Sequence, residues 1–332
     1  MRNNSLAREL DIRETQIAIK TLKDFFQRDL ANTLNLTRVS APLFVTPSSG
    51  LNDRLSGVER PVSFSLGQYD MKVEIVQSLA KWKRYVLKRY GFGYYEGLYA
   101  DMNAIRADEV LDSIHSVYVD QWDWEKIIRK EDRNASYLKF VVNQIYSVFK
   151  RTENYINSVY PFVLSEKLPE EITFISSQEL EDMYPDKSPK EREELAAKKY
   201  GAYFLMGIGH KLSSGEPHDL RSPDYDDWSL NGDIIFFNPT TRSAIELSSM
   251  GIRVDEEALL KQTRLSKTED RLEQDYHKSL LAGDLPYTIG GGIGQSRICL
   301  FFLEKYHIGE VQVGVWPEDM LLDCQLSGYN IL

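Results

Sequence analysis

Residues 290–297 read Gly-Gly-Gly-Ile-Gly-Gln-Ser-Arg, and the apolar run Ile298-Cys-Leu-Phe-Phe-Leu303 follows directly. Four glycines within residues 290–294 remove the side chains that would keep a ligand off the backbone. The apolar run reads as the body of a buried helix. The glycines therefore lie where backbone N–H groups and the positive end of a helix dipole can meet an anion. Arg297 falls in the first turn of that helix, where the dipole disfavours a cation, and its position makes sense if both positive features converge on one phosphate. A glycine-rich turn capped by a surface arginine is the other reading. The run lacks the Lys-Ser/Thr of a P-loop and does not lie near the chain start, as a dinucleotide-binding fingerprint would.

The 332 residues are 42% hydrophobic and 27% charged, as in an ordinary globular protein, and give ample length for a buried core. No linker divides them, so a single catalytic domain over 1–332 is expected. No stretch approaches the roughly 18 apolar residues of a membrane span, and Met1-Arg-Asn-Asn-Ser-Leu-Ala-Arg-Glu-Leu10 lacks the apolar core of a signal peptide. Cys299 and Cys324 make neither a disulfide framework nor a zinc site. A cytoplasmic protein with no membrane partner is expected. The net charge of −10 weighs against a large nucleic-acid footprint, while a few buried cations could still hold a small anion.

Outward from the glycine run, helical spacing marks 8–30, 78–90, 134–159, 177–183, 189–199, 255–264 and 269–282. Strands are expected at 37–45, 61–66, 72–76, 94–102, 114–123, 171–176, 201–206, 233–237 and 243–252, then into the glycine run and finally at 310–314. Residues 48–57 form a polar loop, and 207–232, rich in Gly, Pro, Ser and Asp, read as an extended functional loop. Hairpins outnumber βαβ units, so the fold class is α+β, a mostly antiparallel sheet flanked by helices.

Several side chains sit where packing alone would not put them. Lys83 lies on the apolar stripe of helix 78–90, four residues from both Leu79 and Leu87. It either snorkels or aims a cation into a site. Alternation along 114–123 puts Gln121 and Asp123 on one strand face, fitting either a solvated strand end or recognition of an ammonium and a carboxylate. Asp233 and Glu246 lie on consecutive strands that can bring two carboxylates together, as a structural pair or for Mg2+, which takes few protein ligands. The run Ser248-Ser-Met-Gly-Ile-Arg253 adds hydroxyls and another arginine. Asp224, Asp226 and Asp227 would be costly packed together unless solvated or facing cations. Arg106, in the connection between two strands, carries no signal alone. His210 and His218 lack zinc spacing, and no Ser-His-Asp set with a nucleophile elbow is present.

Together, Ser78-Leu-Ala-Lys-Trp-Lys-Arg84, His115-Ser-Val-Tyr-Val-Asp-Gln-Trp-Asp-Trp-Glu125, Pro223-Asp-Tyr-Asp-Asp-Trp228, Glu246-Leu-Ser-Ser-Met-Gly-Ile-Arg253 and Thr288-Ile-Gly-Gly-Gly-Ile-Gly-Gln-Ser-Arg297 closely resemble ammonia-dependent asparagine synthetase, the aspartate–ammonia ligase family. The likeness runs from about residue 6 to 316. That family is similar to the catalytic core of class II aminoacyl-tRNA synthetases, and the resemblance implies that fold. It also implies an ATP-dependent reaction of L-aspartate and ammonia through β-aspartyl-AMP, releasing AMP and diphosphate. Arg106 and Arg297 match the ATP-holding arginines, with Ser116 and Gly294 beside them and Asp233 and Glu246 for Mg2+. Asp53, Lys83, Gln121, Asp123 and Ser249 match the aspartate site, and Asp226 would lie by the acyl-adenylate and could help deprotonate ammonium.

Between Trp228 and Asn231 the chain has only Ser229-Leu230, where the family carries a longer insertion, so a trimmed surface loop is expected; beyond about 317 no match is clear. The loop 48–57, carrying Asp53, could close over substrate. A tRNA-linked paralogue would need a basic anticodon module, for which no segment fits. A non-catalytic relative would be expected to lose Arg106, Arg297, Glu246 or Lys83. Amphipathic residues 6–45 suggest a homodimer.

Overall fold

A computed structural model describes residues 9–53, 55, 59–161 and 163–332. Residues 54, 56 and 57 of the expected lid loop, and 1–8 of the N-terminal reading, lie outside the described residues.

Asp11 starts the first helix, α1 (Ile12–Leu34), through a capping box with Glu14, and Asn35 ends it in the left-handed region at φ 58. The chain then runs β1 (Leu36–Arg38), β2 (Phe44–Val45), β3 (Ser63–Leu66), β4 (Met71–Ile75), α2 (Ala80–Arg89), β5 (Gly97–Ile105), β6 (Tyr118–Ile127) and α3 (Ala135–Val159). The second half runs β7 (Thr173–Ser176), α4 (Ser177–Met183), α5 (Pro189–Tyr200), β8 (Ala202–Met206), β9 (Asp226–Asn238), β10 (Ser243–Arg253), α6 (Glu256–Ser266), α7 (Asp275–Leu281), β11 (Thr288–Gly294), α8 (Gln295–Phe302) and α9 (Glu318–Ser327).

Eight strands form one sheet in the order β1-β5-β6-β11-β10-β9-β8-β7, and β2-β4-β3 form a small second sheet. The five central pairings of the large sheet are antiparallel, and only the edge pairs β1–β5 and β7–β8 are parallel. The α+β expectation therefore holds. One face packs on α1, α3 and α8 through an aromatic core in which Phe26 stacks on Trp122 at 4.8 Å and Phe149 meets Phe236 at 5.1 Å. The opposite face carries α2 over β5 and β6, and α4 and α5 over β8 and β9.

Four expectations need correction. The glycine run is not a loop leading into a helix: 288–294 is β11, at the centre of the sheet between β6 and β10. Part of the 207–232 loop is strand, since β9 begins at Asp226, and Ser229-Leu230 lie within it rather than on a trimmed loop. There, residues 227–230 bulge opposite the single residue Ile252, between the pairs Asn231–Gly251 and Asp226–Arg253. The strand expected at 37–45 is interrupted around Pro42, which has no N–H to donate. Residues 310–314 form no strand; a 3-10 turn at Ile308–Glu310 is followed by α9.

Candidate active site

A cleft of about 570 Å³ opens over the central strands, within the usual range for a small-molecule site. Its floor explains the glycines. Gly292 stands level with Asp123 on β6 and Ser249 on β10, and Gly290 with Glu125 and Gly251. A Cβ on Gly290 would fall 2.6 Å from Glu125 Cδ and 2.7 Å from Arg253 Nη2; one on Gly292 would strike the Gln121 amide oxygen. The glycines clear a strand surface so that side chains from both neighbours can cross it.

What crosses is a buried ion network. Arg253 Nη2 donates to Glu125 Oε2 at 2.7 Å, Nε donates to Oε1 at 3.0 Å, and Nη1 donates to Asp226 Oδ1. Burial pushes the Glu125 carboxyl up, but Arg253 and Lys83 outweigh it and hold it below its usual value. Burial raises the Asp226 carboxyl despite Arg253. Asp53, Gln121, Asp123, Asp226 and Ser249 all line the cleft.

Lys83 does not. It is fully buried beneath the floor, where Nζ donates to Asp123 Oδ1, to the Trp124 carbonyl at 2.9 Å and to the Gly291 carbonyl at 3.1 Å. Those three bonds match the three protons of an ammonium. Here its ammonium is the counter-charge that orients Asp123, beneath the cleft into which a direct ligand of a substrate carboxylate was expected to point.

Each of the three clustered aspartates faces cations. Asp226 meets Arg253, and Asp227 accepts from Arg133 at 2.9 Å. Asp224 accepts from Lys81 at 3.0 Å and Ser222 at 2.7 Å, with His277 at 2.9 Å and Arg271 at 3.2 Å, which pins the 219–226 cleft wall to α2 and α7. Burial opposes the Asp224 charge, but Lys81, His277 and Arg271 hold its carboxyl well below the usual range. Asp224→Asn strands these cations and should cost about 3–5 kcal/mol in urea unfolding near neutral pH. A depressed carboxylate stabilises the fold above its unfolded value of about 3.9, and that stability is lost as pH falls, so the gap between variant and wild type should close below about pH 4. An unchanged neutral-pH midpoint would contradict the assignment.

A second cluster gathers around Glu246. Arg297 Nη1 donates to the Glu246 carbonyl at 3.0 Å and lies 3.6 Å from Oε2; Arg106 and Arg221 also line the cleft. Burial opposes ionisation of Glu246, but Arg297, Arg221 and Arg106 outweigh it. A β-bulge between Glu246 and Ser248 turns Glu246 to the same side as Ser249. Asp233 stands opposite Ser249, ion-paired to Arg221 and outside the cleft lining. Burial and the charge of Glu246 push its carboxyl up to about 8 against the pull of Arg221.

The helix-dipole reading also changes. Gly294 lines the cleft but offers α8 no side-chain cap, and the Ser296 N–H is taken by Asp120 of β6 at 3.0 Å. The anion at this helix end is a protein carboxylate. Ser116 lines the cleft with its hydroxyl bonded to Gln312 and to the Tyr118 carbonyl.

Among the described residues no group of three His, Cys, Asp or Glu could cage a metal ion. His218 pairs with Glu193 at 2.8 Å, and His210 packs on Trp228. Glu246, which lines the cleft, is a carboxylate that could hold Mg2+, whereas Asp233 is paired to Arg221 outside the lining.

Sequence reading missed Arg221, Glu125 and the role of Arg253. Glu125 was within reach, since the alternation that selects Gln121 and Asp123 continues to it. Arg253 ends a recognised motif, but nothing in its spacing reveals its partners. Arg221 lies in a loop without periodicity.

The architecture is that of class II aminoacyl-tRNA synthetase catalytic cores. An asparaginyl-tRNA synthetase from Pyrococcus horikoshii, solved with asparaginyl-adenylate, is similar with a TM-score of 0.65 at 14% identity, covering 91% of this chain and 70% of that one. The aspartyl-tRNA synthetase of Entamoeba histolytica gives 0.60 at 18% identity, covering 92% and 59%. Within that architecture the sequence is more specific: residues 13–328 match the aspartate–ammonia ligase family, and the chain belongs to it. The match extends past residue 317, where no likeness was expected, and takes in α9. The aspartate–ammonia ligases of Clostridium perfringens (strain SM101 / Type A) and Fusobacterium nucleatum subsp. nucleatum are each 62% identical over 97% of this chain, covering 96% and 98% of their own lengths.

Proposed function

We propose that this chain is an ATP-dependent aspartate–ammonia ligase, working as one catalytic domain. The observation that carries the reading is a single cleft with an arginine cluster, Arg106, Arg221 and Arg297, and a carboxylate-rich cluster over a glycine floor. The first suits a triphosphate, the second an amino acid.

The β-carboxylate of aspartate attacks the α-phosphorus of ATP, and diphosphate leaves. Ammonia then attacks the acyl carbon of β-aspartyl-AMP, forming the amide and expelling AMP. Arg106 and Arg297 neutralise charge that develops on the phosphates, the term that usually contributes most to such steps. Glu246, together with Asp233, would hold Mg2+, which would withdraw charge from the phosphates. Asp123 and Asp53 take the α-ammonium, Gln121 and Ser249 orient the substrate, and Lys83 supplies the cation behind Asp123 on the aspartate side. Asp226, its carboxyl raised by burial, accepts a proton from ammonium. The lid role of the 48–57 loop, excluding water from the adenylate, stays part of this proposal.

Incubation with ATP, Mg2+, aspartate and ammonium should yield asparagine, AMP and diphosphate in equal amounts. ADP and phosphate would sink the mechanism. The match to the aspartate–ammonia ligase family over residues 13–328 favours this reading over a tRNA-charging role.

The chain is further proposed to be cytoplasmic and homodimeric. No described helix is long and apolar enough to cross a membrane. Ile12 and Ile17 on α1, and Phe44 and Phe64 in the small sheet, leave large apolar side chains exposed, the last two in edge contact at 5.4 Å. Sedimentation equilibrium should give twice the 38.3 kDa chain mass; the single-chain mass would rule the dimer out.

A further inference from the structure

Asp120 does not belong to the expected substrate or metal sets, yet it is only 8% exposed and joins β6, α1, α8 and the segment that carries Gln312. It projects from β6 on the Trp122 and Trp124 side of the strand, toward the helices. Its Oδ1 accepts from the Ser296 N–H at 3.0 Å and from Gln312 Nε2 at 3.3 Å, and its Oδ2 accepts from Lys23 Nζ of α1 at 3.0 Å. Gln312 also donates to Ser296 Oγ at 3.1 Å and accepts from the Ser116 hydroxyl.

The need for this arrangement follows from β11. Gly294, the residue at the α8 N-cap, has no side chain and cannot supply the usual capping oxygen. The first turn of α8 would keep an unbonded N–H at Ser296, one residue before Arg297. Asp120 supplies that acceptor from the neighbouring strand and puts a negative charge at the positive end of the helix. Arg297 is otherwise held at its side chain, by the Ile114 carbonyl at 3.4 Å and the Glu246 carbonyl at 3.0 Å.

We propose that Asp120 is a positioning residue for Arg297: it caps α8 from β6, is itself held by Lys23, and so lets α1 set the geometry of the arginine that meets the triphosphate. The inference rests on the reading of Arg297 as an ATP-phosphate ligand. Because Asp120 also lines the cleft, two opposite effects of removing it can be distinguished. Loss of an anion near the phosphates would by itself tighten ATP binding. Loss of the cap would misalign Arg297 and weaken it.

The test is titration calorimetry of Mg·ATP and, separately, of aspartate, on Lys23→Met, Asp120→Asn, Asp120→Ala and Arg297→Ala, and on Lys23→Met and Asp120→Ala combined with Arg297→Ala. Asp120→Ala should weaken Mg·ATP about tenfold, on the scale that small misplacements carry. Asp120→Asn keeps an acceptor for Ser296 and should stay within about threefold of wild type. Lys23 lies outside the cleft lining, so Lys23→Met keeps the test open if Asp120→Ala does not fold. It should weaken Mg·ATP about threefold, the weaker effect expected of a partly exposed ion pair. Aspartate affinity should not move. In the Arg297→Ala background neither Asp120→Ala nor Lys23→Met should weaken Mg·ATP further. Tighter Mg·ATP binding by Asp120→Ala, unchanged binding by both Asp120→Ala and Lys23→Met, or undiminished effects without Arg297 would overturn the positioning role. If Arg297→Ala itself bound Mg·ATP like wild type, the phosphate reading would fall, and this inference with it.

Discussion

Arg297→Ala is expected to lower aspartate-dependent exchange of labelled diphosphate into ATP by about 10²- to 10³-fold, the scale seen when one preorganised donor to developing negative charge is removed. The guanidinium lies beside Glu246 in a cleft shared with Arg106 and Arg221, where water is partly excluded and charge is poorly screened. The side chain is 21% exposed, so truncation should leave the fold intact. Truncation removes its hydrogen bonds to the Ile114 and Glu246 carbonyls and its ion pair with Glu246. The expected pattern is thus a large loss of exchange with an unfolding midpoint close to wild type. Exchange within tenfold of wild type would remove Arg297 from the phosphate site.

Gly290→Ala should do the reverse, damaging the fold before the chemistry is reached. The added Cβ would meet Glu125 Cδ at 2.6 Å and Arg253 Nη2 at 2.7 Å, both buried and bonded to each other. Relieving the clash means parting that ion pair or moving the central strand, and breaking a buried pair costs about 3–5 kcal/mol. Arg253 also holds Asp226, so aspartate affinity should fall in whatever fraction remains folded. Gly67, with open space around its would-be Cβ, is the control, and its alanine variant should change stability by no more than about 0.5 kcal/mol. A urea midpoint for Gly290→Ala equal to that of Gly67→Ala would show that the glycine does not make room for the network.

These two residues also mark how far the sequence could be read. Element types along the chain were legible from apolar periodicity, because α1, α3 and the central strands each bury one continuous face. The glycine run misled in a particular way. Glycine's lack of a side chain is as useful to a strand crossed by neighbouring side chains as to a loop that wraps an anion, and local sequence cannot separate the two uses. Only the register, which sets Gly290 against Glu125 and Gly251, does so. Lys83 was singled out correctly as an anomaly on an apolar stripe. Its partners, Asp123 some 40 positions away and the Gly291 carbonyl some 208 away, depend on strand pairing that one sequence does not reveal. The three aspartates of 224–227 were expected to need solvent or cations, and each has a cation, from α2, from β10 and from Arg133, two residues before α3. Asp120 carried no signal in the sequence, because the cap it provides belongs to a helix 176 residues away.

Which phosphorus the aspartate attacks defines the mechanism, and oxygen transfer reports it without reference to any single residue. L-Aspartate labelled with ¹⁸O in the β-carboxylate should be converted with ATP, Mg2+ and ammonia, and the phosphorus-containing products analysed by mass spectrometry. Attack on the α-phosphorus leaves one labelled oxygen on AMP for each asparagine formed and none on diphosphate. Label in inorganic phosphate, with ADP as the other product, would mean an aspartyl phosphate intermediate and would contradict the adenylate account.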